Sequence, residues 1–124
     1  MADDPIPADL RAFIQRHIDS VAQLEALLLL RSTSGTNWDV ATVAKRLYAA
    51  EPETADVLTQ LCEDGFLACM DGAYRYAGAT DLDELVARLA SAYARHLIAV
   101  TNMIHAKPRR IRQFADAFRF RKDR

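Results

Sequence analysis

Apolar residues recur at every third or fourth position over much of this chain, which is the spacing of one face of an α-helix. Two such faces lie near the N-terminus, and their members are Leu10, Phe13, Ile14 and His17 or Ile18 in the first helix, and Val21, Leu24, Leu27, Leu28 and Leu30 in the second. Asp19 or Ser20 is placed to cap the second helix. Because Leu29 and Leu30 extend its apolar surface beyond one stripe, we expect the second helix to lie at the centre of a helical bundle.

Two more helices and a tight hairpin follow. Asp39 is a suitable N-cap for the third helix, Pro52 suits the first turn of the fourth, and Gly65 is a typical C-terminal stop. The apolar faces of these two helices consist of Val40, Val43, Ala44 and Leu47, and of Val57, Leu58 and Leu61. Asp71-Gly72 then separates two short strand-like segments and favours a type I′ turn. We expect Trp38 to begin a short third strand beside this hairpin.

The C-terminal part of the sequence predicts a long helix and a final shorter one. Thr80 or Asp81 caps the long helix, which ends at Pro108 because the proline ring clashes with a continuing helix. Its apolar face consists of Leu82, Leu85, Val86, Leu89, Tyr93, Leu97, Val100, Met103 and Ile104. A last helix, from Arg109 to about Arg121, carries Ile111, Phe114 and Phe118 on one face and basic residues on the other.

This order of parts resembles the winged helix-turn-helix superfamily, in the broad style of MarR-like regulators. The residues that carry the resemblance are the apolar helix from Val21 to Leu30, Trp38, Leu47, Leu58, Leu61 and the Gly65-Phe66-Leu67 exit into the hairpin. The resemblance covers residues 20–77 and implies a mainly α fold with a small β wing, extended by extra N-terminal and C-terminal helices. We expect a disordered N-terminus over 1–7, a winged helix-turn-helix over 8–80, and a C-terminal helical extension over 81–124 within the same compact domain.

The net charge of −1 conceals two regions of opposite charge. From His105 onward there are eight basic and two acidic residues, giving +6, whereas the preceding residues include eight basic and fifteen acidic ones, giving −7. The body of the protein is therefore acidic and its C-terminal segment is basic.

Because MarR-like proteins commonly dimerise through terminal helices, the resemblance also implies a homodimer, with Ile111, Phe114 and Phe118 at its interface.

The fourth helix is the one that lies in the major groove when a helix-turn-helix reads DNA. Its ionisable residues are all acidic, and they are Glu53, Asp56, Glu63 and Asp64. Carboxylates beside a phosphate polyanion oppose association, although Thr54, Thr59 and Gln60 could still donate hydrogen bonds. We therefore expect a transcription-associated or signalling regulator that acts mainly through protein–protein interaction, with a partner whose surface is basic.

Two other interpretations remain open. The first is a direct DNA-binding transcriptional regulator whose cations come from outside the fourth helix, namely from Lys45, Arg46, Arg75, Arg109, Arg110, Arg112, Arg119, Arg121 and Lys122. The second is a structural interaction subunit without nucleic-acid contact. The basic segment is also amphipathic, but its short length and Asp116 argue against binding to an anionic membrane.

The sequence carries no pattern typical of a catalytic site. The histidines and cysteines lack metal-ligand spacing and the serines lack a nucleophile motif, so we expect no enzyme, no metal and no cofactor. Cys62 and Cys69 occupy positions compatible with an apolar environment, and we expect buried, reduced thiols. The acidic N-terminus is unlike a signal peptide, and the longest apolar run, Ala26 to Leu30, is too short to span a bilayer. A cytoplasmic protein without membrane contact is expected.

Overall fold

The computed structural model describes residues 6–106, which form six helices and one antiparallel sheet of two strands. The elements are α1 (Ala8–His17), α2 (Val21–Ser32), α3 (Val40–Leu47), α4 (Glu51–Glu63), β1 (Leu67–Met70), β2 (Ala73–Tyr76), α5 (Thr80–Arg95) and α6 (Leu97–Ala106). The mainly helical fold with a small sheet is thus confirmed. The predicted last helix and its apolar face of Ile111, Phe114 and Phe118 lie outside the described residues.

Helix α2 lies against several other elements, as its broad apolar surface predicts. It packs against α3, α4 and β2, and Leu24, Leu27 and Leu30 are fully buried. Its N-terminus is capped by Ser20, whose Oγ accepts a hydrogen bond of 3.0 Å from the Gln23 backbone N–H. The buried Gln23 side chain accepts from the Asp19 N–H and donates to the His17 carbonyl, so it satisfies the backbone of the turn between α1 and α2.

The core continues to both ends of the described chain. Ile6 is buried in the same cluster as α1 and α2, although the sequence placed this residue in the N-terminal segment expected to be disordered. Val100 and Ile104 of α6 are buried in that cluster too. On the surface, Arg88 of α5 makes a two-pronged ion pair with Asp9 of α1, at 2.7 and 3.0 Å.

Helices α3 and α4 form a closely packed pair whose ends follow local sequence chemistry. Asp39 caps α3 by accepting from the Thr42 N–H at 2.8 Å, as predicted. After α4, Gly65 adopts φ +89°, and the N–H groups of Gly65 and Phe66 return to the carbonyls of Cys62 and Leu61. This is the hydrogen-bond pattern of a Schellman motif, in which a left-handed residue ends the helix, and it directs the buried Phe66 back into the core.

The hairpin confirms the turn prediction. Asp71 and Gly72 both have positive φ, 54° and 79°, as a type I′ turn requires, and Met70 pairs with Ala73. Trp38 forms a two-bond bridge to Tyr74, with N–O distances of 2.8 and 2.7 Å. The expected third strand is therefore present only as this isolated bridge.

The prediction of one long helix before Pro108 is wrong, because the chain breaks at His96. This residue has φ −131° and ψ 53°, which separates α5 from α6. No glycine or proline lies near the break, so the sequence carries no local signal for its position. The break leaves Leu97 and Ile98 exposed while Leu89 on one side and Val100 on the other are fully buried.

Candidate protein-binding surface

One side of α4 carries three of the four predicted acidic residues into solvent. Thr54, Leu58 and Leu61 are buried against the fold, whereas Glu53, Asp56 and Glu63 are exposed. Asp56 and Glu63 are seven residues apart, two helical turns, so they share one face of the helix. We call the set Glu53, Asp56 and Glu63 the acidic face.

Neutralising partners for the acidic face are absent among residues 6–106. The ion pairs of the described chain join other groups, and α4 itself contains no Lys or Arg. Three like charges on one exposed surface repel one another and attract a cationic surface. The acidic face is therefore a charged surface with no partner within this part of the chain.

Asp64 is placed differently from the other three predicted acidic residues. Its side chain is 22% exposed, its Oδ1 accepts a hydrogen bond of 3.2 Å from the Gln60 amide, and its Oδ2 lies 3.6 Å from Nδ1 of His17. The His17 ring in turn meets the ring of buried Phe66 edge-on, with ring centroids 5.3 Å apart. Asp64 therefore holds the end of α4 against α1 and is directed away from the acidic face.

The predicted cations of the described chain lie on elements other than α4. Lys45 and Arg46 are exposed in the last turn of α3, and Arg75 is exposed on β2. The Arg46 guanidinium lies over the Trp38 ring at 5.5 Å from the centroid, a cation–π contact. The other predicted cations, Arg109, Arg110, Arg112, Arg119, Arg121 and Lys122, lie outside the described residues.

Tyr48, in the turn between α3 and α4, is a feature that the sequence analysis missed. It adopts the left-handed conformation with φ 55° and ψ 44°, and its side chain is 96% exposed. Left-handed backbone is unfavourable for a residue with a Cβ, and no glycine marks this position in the sequence. The turn therefore presents an aromatic side chain to solvent beside the start of α4.

The two cysteines are joined, which corrects the prediction of buried, reduced thiols. Cys62, half-buried in the last turn of α4, forms a disulfide with Cys69, which is exposed on β1, and their Cα atoms are 6.3 Å apart. That distance is ordinary for a disulfide. The apolar-compatible spacing of each cysteine was consistent with burial, but only the fold brings the end of α4 against the hairpin.

A groove open to solvent runs along the hairpin. It has a volume of about 270 Å³, and its lining residues are Asn37, Ala68, Cys69, Met70, Asp71, Ala73 and Arg75. Met70 beside the disulfide is 75% exposed. One end of the disulfide is therefore accessible to a molecule entering from solvent.

A partly exposed hydrogen-bond network connects the hairpin to helices α2 and α5. Asp83 Oδ1 on α5 accepts hydrogen bonds from the Tyr76 hydroxyl at 2.7 Å and from Arg31 Nε at 2.9 Å. The Tyr76 hydrogen bond and then the Arg31 guanidinium hold the pKa of Asp83 below its ordinary value. Burial, reinforced by Asp83, raises the pKa of Tyr76 to about 12. These three groups link α2, β2 and α5.

Within residues 6–106 no group of three or more histidine, cysteine or acidic side chains is arranged to hold a metal ion. In the same range, no helix combines the length and the apolar character needed to cross a bilayer. Comparisons of this chain with family models, with curated proteins and with solved structures found no match.

Proposed function

We propose that this chain is a winged-helix regulatory protein, transcription-associated or signalling, that acts mainly by binding a partner protein with a basic surface. The observation that carries the proposal is the acidic face of α4, exposed and without a cation on its own helix. In this interpretation α3 and α4 are the helix-turn-helix and the β1–β2 hairpin is the wing.

The winged-helix assignment is supported by the order of the helices and strands and by the connections between them. A capped α3, a tight turn, α4, the Gly65 stop and a hairpin with a two-residue turn follow one another with short connections. Trp38, just before α3, bridges back to Tyr74 of the hairpin. In a helix-turn-helix the second helix is the one that contacts the bound molecule. The acidic face occupies the solvent side of that second helix.

Electrostatics favour a protein partner over a DNA duplex for this face. Phosphates dominate the affinity of proteins for DNA, and Glu53, Asp56 and Glu63 would each repel them. Lysine and arginine side chains on a protein are attracted instead, and such complementarity accelerates encounter and selects partners. The exposed Tyr48 near the start of α4 supplies an aromatic contact of a type enriched in protein interfaces.

The acidic face is tested with two charge-matched double variants of the full chain. Asp56→Asn with Glu63→Gln removes two charges from α4, and Asp81→Asn with Glu84→Gln removes two from the start of α5. We expect the first variant to bind a fluorescent lysine-rich peptide about five-fold more weakly than wild type, since exposed charge pairs contribute roughly 0.2–1 kcal/mol each. The α5 variant is expected to bind as wild type does.

A capture experiment connects this charge test to a protein partner. Wild type and both double variants are immobilised, exposed to lysate of the native host, and washed at increasing salt. We expect proteins that wild type retains at low salt to be lost from the α4 variant and kept by the α5 variant. Equal recovery on all three would overturn the proposal that the acidic face is the interface.

The second candidate function is direct DNA binding through cations beside α4. It is favoured by one observation, the exposure of Lys45, Arg46 and Arg75 on α3 and the hairpin. In a mobility-shift assay with genomic fragments at low salt, this candidate requires sequence-specific shifts that survive truncation at Lys107 and are lost when Lys45 and Arg46 are replaced by Gln. Such shifts would displace the protein-binding proposal.

A further inference from the structure

The Cys62–Cys69 disulfide ties the last turn of α4 to the outer part of the hairpin. Cys69 lies one residue before the end of β1, so the covalent link reaches close to the hairpin turn. Cys62 directly precedes Glu63 of the acidic face. The bond therefore couples the position of the hairpin to the helix proposed to meet the partner.

Other contacts already hold the base of the hairpin without the disulfide. Phe66 is fully buried, the Phe66 N–H donates to the Leu61 carbonyl, and the Ala77 N–H donates to the Phe66 carbonyl. Tyr76, also at the base, is bound to Asp83 on α5. Tyr74, the cross-strand partner of Cys69, is held by its bridge to Trp38. The part that depends on the disulfide is therefore the tip, where Met70 and Asp71 are exposed.

The disulfide is open to attack at one end. Thiol–disulfide exchange requires a thiolate to reach a sulfur, and exposed disulfides are the exchangeable ones. Cys69 is exposed and lines the solvent-open groove along the hairpin, whereas Cys62 is half-buried and does not line it. Cys69 is therefore the more exposed cysteine of the pair.

We propose that Cys62–Cys69 is an exchangeable disulfide, and that a dithiol reductant opens it to release the hairpin tip from α4. One thiolate of the dithiol attacks Sγ of Cys69, forming a mixed disulfide, and Cys62 leaves as a thiolate that takes up a proton. The second thiol of the reductant, losing its proton, then attacks the mixed disulfide and displaces Cys69 as a thiol. Two electrons pass to the protein, which gains two thiols, and the reductant becomes a cyclic or protein disulfide.

The first experiment measures formation and accessibility of the bond in the full chain. The protein is isolated without reductant, treated with oxidised glutathione, and its free thiols are counted by alkylation and mass. We expect no free thiols before the addition of dithiothreitol and two free thiols after it. The rate of reduction of the folded protein is expected to lie within about ten-fold of the rate in denaturant, because Cys69 is exposed and lines an open groove.

Two results of that experiment would overturn the proposal. Thiols that stay free after the oxidant would mean that the bond does not form. Reduction of the folded protein about a thousand-fold slower than in denaturant would mean that the sulfur is reached only by unfolding, as for a structural disulfide.

The second experiment asks whether opening the bond releases the hairpin. Amide hydrogen exchange is compared for oxidised and reduced protein, with Cys62→Ser/Cys69→Ser as a permanently open control that ignores the reductant. We expect the amides of residues 69–72 to exchange about ten-fold faster on reduction while those of α2 are unchanged. Unchanged exchange at the hairpin would overturn the release step.

The link to partner binding rests on the proposed function and is measured separately. Binding of the lysine-rich peptide to oxidised and reduced protein is expected to differ by at least about three-fold, because hairpin and acidic face adjoin at Cys62. Equal binding alongside a confirmed hairpin release would contradict only that link. A peptide that binds neither form, with release confirmed, would count against the proposed function and leave the exchangeable disulfide standing.

Discussion

Tyr48 occupies a backbone conformation that glycine favours, and this has a measurable cost. Replacing a residue in left-handed backbone by glycine removes a Cβ clash that costs about 1–2 kcal/mol. Part of this gain in stability is offset, because glycine also gives the unfolded chain more conformational freedom. We predict that Tyr48→Gly raises the free energy of unfolding by about 1 kcal/mol in urea titrations. Since the side chain is almost fully exposed, its loss removes little packing.

Tyr48→Ala is the matched control for that prediction. Alanine removes the aromatic ring but keeps the Cβ, so we expect stability close to that of wild type. If alanine stabilised the protein as much as glycine does, the gain would come from removing the ring, and backbone strain would not be its cause. Retention of a strained aromatic residue on the surface is consistent with a contact role for Tyr48.

Asp83 is a carboxylate that joins three elements, and its effect on stability depends on pH. Its pKa is held below the ordinary value of 3.8 in the folded protein, so its contribution is complete above that value and is lost as the pH falls below it. We predict that Asp83→Asn destabilises the protein at about pH 6 and loses less stability than wild type between about pH 6 and pH 3.

Asp81→Asn separates this network from simple helix electrostatics. Both aspartates lie in the first turn of α5, where a negative charge interacts favourably with the helix dipole. Only Asp83 accepts hydrogen bonds from Tyr76 and Arg31. Chemical denaturation at both pH values should therefore show the wild-type acid dependence in Asp81→Asn. An equal effect of the two substitutions would contradict the assigned role of the network.

At the level of elements, local chemistry made the central stretch predictable. Asp39 as a cap, Gly65 as a stop and Asp71-Gly72 as a turn each depend on a residue's own backbone preference, which is present in the sequence. The exposure of Glu53, Asp56 and Glu63 followed from the same helical periodicity that buried Leu58 and Leu61.

Features set by tertiary packing could not be predicted in this way. The apolar spacing continues through His96 without interruption, so periodicity alone cannot distinguish one helix from two. Pairing of Cys62 with Cys69 depends on how the hairpin folds back on α4, which seven residues of spacing do not reveal. Tyr48 carries no signal at all, because a non-glycine residue at a left-handed position is uncommon.

The disulfide should also stabilise the folded protein, by an amount that depends on the length of the loop it closes, which is short. Constraining a loop of this size in the unfolded chain stabilises the folded state by about 2 kcal/mol. We predict that reduction lowers the free energy of unfolding by about that amount in guanidinium titrations, without change in helical circular dichroism. The Cys62→Ser/Cys69→Ser control should match the reduced protein. A loss of helical signal on reduction would contradict this prediction.

At the scale of the whole molecule, the apolar residues of the C-terminal segment suggest an interface between two copies of the chain. We propose a homodimer that uses Ile111, Phe114 and Phe118. We predict that wild type is dimeric by light scattering and that Phe114→Ser with Phe118→Ser is monomeric, because two large apolar contacts are replaced by polar groups. Phe114→Leu with Phe118→Leu keeps apolar character and should remain dimeric.

The dimer proposal has two outcomes that would refute it. A monomeric wild type would show that the segment is not an interface between copies. A dimeric serine variant would place the interface on other residues, and the exposed Leu97 and Ile98 at the start of α6 would then be the next to replace.

Trp38 is the sole tryptophan of the chain, and it lies where hairpin, α3 and the loop after α2 meet. Its indole N–H donates to Thr33 Oγ1 at 3.0 Å, its backbone pairs with Tyr74, and Arg46 covers its ring. The one tryptophan therefore lies against Tyr74, the cross-strand partner of Cys69, next to the hairpin tip that is proposed to move on reduction. Emission wavelength and quenching by acrylamide will report that movement optically, in unlabelled protein and in real time.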